Sequence, residues 1–269
     1  MTYTPSTVHR LQAIAYVSFF FLVAPSPLFG EGPGGGSRIA GTHCREDFRV
    51  FIDIGHSKRA PGATSARGRT EFDFNVRLAE TLRTTLLKKG YHKIKLFISK
   101  GGPHSLEERV QSSNKFRADV FISIHHDDVQ DRYKSFWPYN GTNHAFSDMF
   151  RGYSLFISKL SPTWPGSLQF AELISEAFLQ RGMRFTEHHA EQIEGEGRAL
   201  LDNSRGIYQY DELIVLKNAT SPAVLIEAGV IVNRDEEIIL GTPARRELFS
   251  EAVAQAVQEF CSAQAAGHQ

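Results

Sequence analysis

Residues 49–71 read RVFIDIGHSKRAPGATSARGRTE, and the reading of the fold starts there. Val50, Phe51, Ile52 and Ile54 make a β-branched and aromatic run with the pattern of a buried strand. The run ends in Gly55-His56, and the Gly-, Pro-, Ser- and Arg-rich stretch that follows cannot be regular structure. Glu71 closes this loop where an amphipathic helix begins. A histidine at a strand end and a carboxylate at a helix start are raw material for a metal site. Two residues are too few, so the rest of the chain has to supply more.

Downstream, Phe74, Leu78, Leu82 and Leu86 recur at four-residue spacing, the mark of one buried helix face. Lys88 and Lys89 occupy its last turn and Gly90 suits the position just past it. Lys93–Ser99 alternates and predicts a strand. Ser105-Leu106-Glu107-Glu108 has capping-box spacing and predicts a helix to about Arg117. Ala118–Ile124 predicts another buried strand, which runs into His125-His126-Asp127-Asp128. The stretch 129–160 reads as a loop with scattered aromatics, then a strand near Tyr153–Ile157. Ser167–Arg181 predicts a helix, and 186–203, rich in Glu and His, an insertion or flap. Leu213–Leu216 and Ala223–Glu227 read as short buried strands, and Thr242-Pro243 opens a terminal helix to Phe260. This alternation predicts an α/β fold with a sheet covered on both faces.

With 41% hydrophobic and 22% charged residues among 269, the chain has material for a full core. Thirty basic residues balance thirty acidic ones, which argues against a charge-driven binder of nucleic acid or anionic membranes. The apolar stretch Leu11–Ala24 has signal-peptide length and falls short of the ~20 residues of a membrane span. The expected organisation is a signal peptide (1–24), a flexible leader (25–45) with a Gly-rich run, one domain (46–262) and a disordered tail (263–269). Export to the periplasm or cell envelope, with no stable membrane anchor after processing, follows. Cys44 and Cys261 fit no cysteine-based zinc pattern. They read either as a disulfide tying the first strand to the last helix or as two free thiols.

Ligand sites of open α/β sheets gather beyond the carboxyl ends of the strands. Three such ends carry His56, His125 and Glu227, and Glu71 can fold over the same edge. Two imidazoles and a carboxylate make a catalytic zinc set, and a further carboxylate can act as base.

Taken together, FIDIGH (51–56), RTEFDFNVRLAETL (69–82), SLEERVQSSNKFRADVFISIHHD (105–127) and PAVLIEAGVIVNRDEE (222–237) resemble the zinc-dependent N-acetylmuramoyl-L-alanine amidases. The resemblance implies a three-layer α/β sandwich with a central mixed, mostly parallel sheet. It implies one Zn2+ held by His56, Glu71 and His125, with Glu227 as the catalytic glutamate that takes a proton from water. The implied reaction is hydrolysis of the amide between N-acetylmuramic acid and L-alanine, in peptidoglycan or muropeptides. Two departures stand out. Such enzymes usually read Gly-His-Gly-Gly, whereas this chain has Gly55-His56-Ser57-Lys58-Arg59. The aromatic strand that usually follows Ser-Ile-His is replaced by the segment 129–160. Residues 186–203 sit where some members carry a regulatory helix that plugs the site, which would call for a protein activator.

Other residues admit two readings. His126 competes with His125 as ligand, though strand alternation lets only one reach the metal. Asp53 and Asp127 are either partners orienting ligand histidines or ordinary loop carboxylates. Arg109 and Asn114 are expected to hold their helix to the sheet. Arg205 and Asn233 are candidate substrate contacts. His188 and His189, with Glu191 and Glu194, form either a second metal site or a solvated face. The aromatics of 133–153 either stack on sugar rings or pack under a loop. The same metal set also serves zinc peptidases, and a non-catalytic wall-binding module is the remaining reading.

Overall fold

The computed structural model describes residues 41–266 apart from residue 103. The expected signal peptide and most of the leader lie outside these residues. The last part of the leader does not: α1 (Gly41–Asp47) is helical and leads directly into the first strand. At the other end α7 (Pro243–Ala266) continues through most of the expected tail. Among the described residues no helix is long and apolar enough to cross a membrane.

β1 (Arg49–Ile54) is followed by the Gly-rich loop and α2 (Glu71–Lys88). Thr70 caps α2, its hydroxyl accepting from the Asp73 backbone N–H at 3.3 Å, which fixes the helix start at Glu71. β2 (Lys93–Ile98) and α3 (Ser105–Phe116) come next. The expected capping box is not made. His104 occupies the N-cap with no side-chain bond, so Ser105 is already helical. β3 (Val120–Asp127) runs three residues past the predicted strand end and carries both histidines within it.

The segment 129–160 holds a hairpin, β4 (Ser135–Tyr139) and β5 (Thr142–Phe146), and then β6 (Ser154–Ile157) where a strand was expected. α4 (Trp164–Leu179) begins earlier than predicted, with Pro165 in its first turn. β7 (Leu200–Asp202) and β8 (Ile207–Gln209) follow. The predicted strand at 213–216 is instead one helical turn, α5 (Ile214–Lys217), in which Lys217 N–H bonds to the Leu213 carbonyl at 3.0 Å. An apolar run of four residues has no periodicity to separate the two, and here it packs on a sheet face rather than joining an edge. β9 (Ala223–Val230), α6 (Arg234–Leu240) and α7 complete the chain.

Seven strands form one mixed sheet in the order β2-β1-β3-β9-β6-β8-β7. β2, β1, β3 and β9 are parallel. β6 and β8 run parallel to each other and antiparallel to β9, and β7 turns back on β8. Val50, Ile52, Ile54 and Ile122 face α2, α4 and α7 in the larger core cluster. Phe51, Phe121 and Leu225 face the other way, toward the layer of α3 and α5. The result is a three-layer sandwich with both sheet faces covered, which explains the near-continuous apolar strands. The carboxyl ends of β1, β3 and β9 lie side by side. Cys44 of α1 and Cys261 of α7 are joined in a disulfide, Cα atoms 5.9 Å apart.

Candidate metal centre

His56, Glu71 and His125 meet at this shared strand edge, each offering one ligand atom, all within 4.8 Å of one another. Glu71 is the hub. Its Oε2 lies 2.8 Å from His56 Nε2 and its Oε1 3.0 Å from His125 Nδ1. The same carboxylate accepts from Ala63 N–H, the Asn75 amide and His126 N–H. Burial alone would raise the Glu71 pKa, but hydrogen bonds from His125 and His56 outweigh it and hold the carboxyl well below its ordinary value. Glu71 is 4% exposed, whereas the histidine side chains are 18% and 31% exposed, so the cluster opens to solvent on the imidazole side.

Local backbone makes this convergence feasible. His56 adopts φ +63°, a left-handed conformation uncommon outside glycine. Arg109 of α3 holds it there, donating to the His56 carbonyl and the Ile54 carbonyl, each at 2.6 Å, while paired with the buried Asp53. Asp53 also accepts from Ser123 at 2.8 Å. Asp53 therefore acts on His56 through the Arg109 clamp rather than by touching an imidazole. Asn114 accepts from Thr220, tying α3 to the approach to β9. His126 turns away from the cluster. Its Nδ1 meets Asn75 at 2.7 Å, and burial pushes its pKa down to about 3, so it stays a neutral packing residue.

Glu227 stands opposite His125 in the β3–β9 register, hence on the same sheet face. Its Oε2 is buried and has no hydrogen-bond partner. Burial first, then the neighbouring Asp127 and Glu71 charges, raise its pKa well above the ordinary carboxylate value. An unpartnered carboxylate oxygen beside two imidazoles and a second carboxylate is costly unless a cation or a reacting proton belongs there. The donor set, two nitrogens and one oxygen with solvent on one side, fits a zinc ion with an open position. A cavity of about 190 Å³ reaches from His56 and His125 down between Arg109, Leu213 and Leu225. A larger cavity of about 870 Å³ lies at the opposite end of the sheet, among Asp47, Arg49 and Asp119, away from this chemistry.

Arg205 and Asn233 do not join the cluster. Arg205 pairs with Asp202 at 2.7 Å, and its backbone carbonyl accepts from Ser175 of α4. Asn233 is the N-cap of α6, accepting from Asp235 N–H and Glu236 N–H, and its amide donates to the Phe150 carbonyl. These bonds tie the Arg205–Asp202 pair and Asn233 into the surrounding structure. Residues 186–203 hold no helix of the plugging kind. They form a short 3-10 turn (His188–Ala190), irregular chain and the edge strand β7.

A family model described as N-acetylmuramoyl-L-alanine amidase matches residues 50–259. The chain belongs to that family. The Escherichia coli K12 N-acetylmuramoyl-L-alanine amidase AmiA is 26% identical over 230 residues, 78% of this chain and 75% of the relative. The amidase Ami1 of Mycobacterium smegmatis superposes with a TM-score of 0.60 at 20% identity, over 82% of this chain and 99% of its own. The CwlD amidase of Clostridioides difficile, solved in complex with the GerS lipoprotein, gives 0.55 at 20% identity, over 81% and 100%. As an N-acetylmuramoyl-L-alanine amidase the chain is a hydrolase of peptidoglycan.

In this amidase Gly62, in the loop past Ser57-Lys58-Arg59, has φ +78°. A Cβ there would lie 2.7 Å from His56 Cδ2 and would run into Glu71 Oε2. Gly55 plays the same part for His125, whose ring fills the space a side chain would take. The loop carrying Gly62 is pinned from behind. Ser65 donates to Glu237 at 2.6 Å, Arg67 pairs with Glu237 at 2.7 Å, and Trp137 of β4 donates to the Ala66 carbonyl at 2.8 Å. Arg67 lies over the Trp137 and Tyr139 rings, so these hairpin aromatics pack on the loop.

Proposed function

We propose that this amidase is zinc-dependent and cleaves the bond between N-acetylmuramic acid and L-alanine, with His56, Glu71 and His125 as ligands and Glu227 as general base. The observation that carries the reading is the buried, unpartnered Glu227 Oε2 beside the His56–Glu71–His125 cluster. A zinc ion held there supplies Lewis acidity toward the amide carbonyl and makes water a competent nucleophile near neutral pH. The chain's own residues do the rest. Glu71, fixed at the start of α2, keeps both imidazoles in place. Glu227 Oε2 takes a proton from the attacking water and returns it to the departing nitrogen as the C–N bond breaks. This leaves a lactyl carboxyl group and a free amine. A carboxylate whose basicity is raised by burial suits that exchange.

Export also belongs to this reading, supported by the apolar stretch Leu11–Ala24 and by the Cys44–Cys261 disulfide, a bond of oxidising compartments. A protein activator is a further part of it, supported by the lipoprotein complex of the CwlD amidase. Purified protein incubated with intact sacculi should release whole stem peptides and leave glycan chains uncut. Cleavage within the stem would make it a peptidase instead. Glu227→Gln should keep its zinc and lose about 10²–10⁴-fold in turnover. Unchanged turnover in that variant would remove Glu227 from the chemistry.

A further inference from the structure

Two residues beyond His125, β3 ends at Asp127, 6% exposed. The 3-10 turn His188–Ala190 lays two more imidazoles against it, His188 at 2% and His189 at 7% exposure. Their ring centroids are 4.0 Å apart. The outer nitrogen of each ring is already committed: His188 Nδ1 lies 2.9 Å from the Thr186 hydroxyl, and His189 Nδ1 3.0 Å from Glu196 Oε2. The inner nitrogens both point at one oxygen. His189 Nε2 is 2.9 Å and His188 Nε2 3.4 Å from Asp127 Oδ2. Asp127, His188 and His189 thus present three ligand atoms within 4.8 Å of one another, all buried.

Hydrogen bonding accounts for His189, which sits between two carboxylates. It does not account for His188. Its Nε2 is buried, makes no hydrogen bond, and comes close to Asp127 without forming one. Phe150 packs on that ring at 5.0 Å between centroids. An imidazole anchored through Nδ1 with a free Nε2 is how metal-ligating histidines are oriented. Zinc–ligand bonds of ~2.0–2.1 Å in a tetrahedron put neighbouring donors about 3.3 Å apart, between the two separations seen here. Two imidazoles and one carboxylate select a borderline first-row cation over Mg2+ or Ca2+, which want oxygen.

We propose that Asp127, His188 and His189 hold a second divalent cation of the zinc class, which fastens the segment 186–203 to the end of β3. This site shares no ligand with the catalytic cluster, and it does not depend on the catalytic reading. Its role is structural, since all three ligands are buried and their anchors (Thr186, Glu196) belong to the segment being fastened.

Metal content and melting temperature test it, with zinc as the probe. Chelator-stripped wild-type protein, reloaded and dialysed, should carry about two zinc ions per chain. His56→Ala/His125→Ala should keep about one, and its melting temperature should fall when EDTA removes that ion. Adding His188→Gln to that background should abolish both the bound zinc and the EDTA effect. Asp127→Asn serves the same purpose where the glutamine variant does not fold. The proposal is overturned if folded His56→Ala/His125→Ala binds no zinc, or if His188→Gln and Asp127→Asn leave its zinc content unchanged. An unaltered zinc content in His56→Ala/His125→Ala would instead sink the catalytic ligand assignment, a separately readable result.

Discussion

A methyl group at position 62 would have to share space with Glu71 and His56, and its backbone would be strained at φ +78°. Gly62→Ala should therefore fold and bind zinc about 10–100-fold more weakly, as changes to ligand-supporting groups do, measured by competition with a chromophoric chelator. Wild-type affinity in that variant would mean the loop gives way without moving either ligand. At this scale the sequence was legible where a polar residue follows an apolar run, as His56, His125 and Glu227 do; alternation said that only one of His125 and His126 could face the cluster, and the family resemblance said which. It was illegible where a partner came from far along the chain. His188 and His189 invite pairing with Glu191 and Glu194 by spacing, yet their partners are Asp127, on a strand 61 positions earlier, and Glu196. Asn233 caps α6 and reaches back to Phe150, 83 positions earlier, and no spacing rule in the sequence announces that bond.

Among the elements, α6 shows how a short helix can serve the centre without touching it. Its Glu237 anchors Ser65 and Arg67 of the loop between His56 and Glu71, and its start depends on the buried Asn233 cap. Asn233→Ala should cost about 1–2 kcal/mol in urea unfolding while leaving zinc content intact. A loss of zinc in a folded Asn233→Ala protein would show that α6 and the ligand loop move together. The long helices and buried parallel strands were readable because each carries several turns or pleats of pattern. Short elements were not. The four-residue run at 213–216 satisfies helix and strand equally. The hairpin was announced by Asn140-Gly141, both with positive φ (49° and 78°) as a two-residue type I′ turn requires. The surrounding aromatics, read as loop residues, hid that signal.

For the molecule as a whole, the disulfide links α1 to α7 across 217 positions of sequence. Cys44→Ser should lower unfolding free energy by about 2–4 kcal/mol with no change in bound zinc, checked by denaturant titration against metal analysis. The cross-link sits where the parallel strands begin, at the pole opposite His56 and His125. Gly41 and Ala266, the first and last described residues, belong to the two helices it joins. A bead, dye or carrier attached beside that knot would thus stand a strand's length, about 20 Å, from the sheet edge that carries His56 and His125. Held by that end, the enzyme would still present the His56–His125 edge, the proposed metal centre, to a polymer as large as a cell wall.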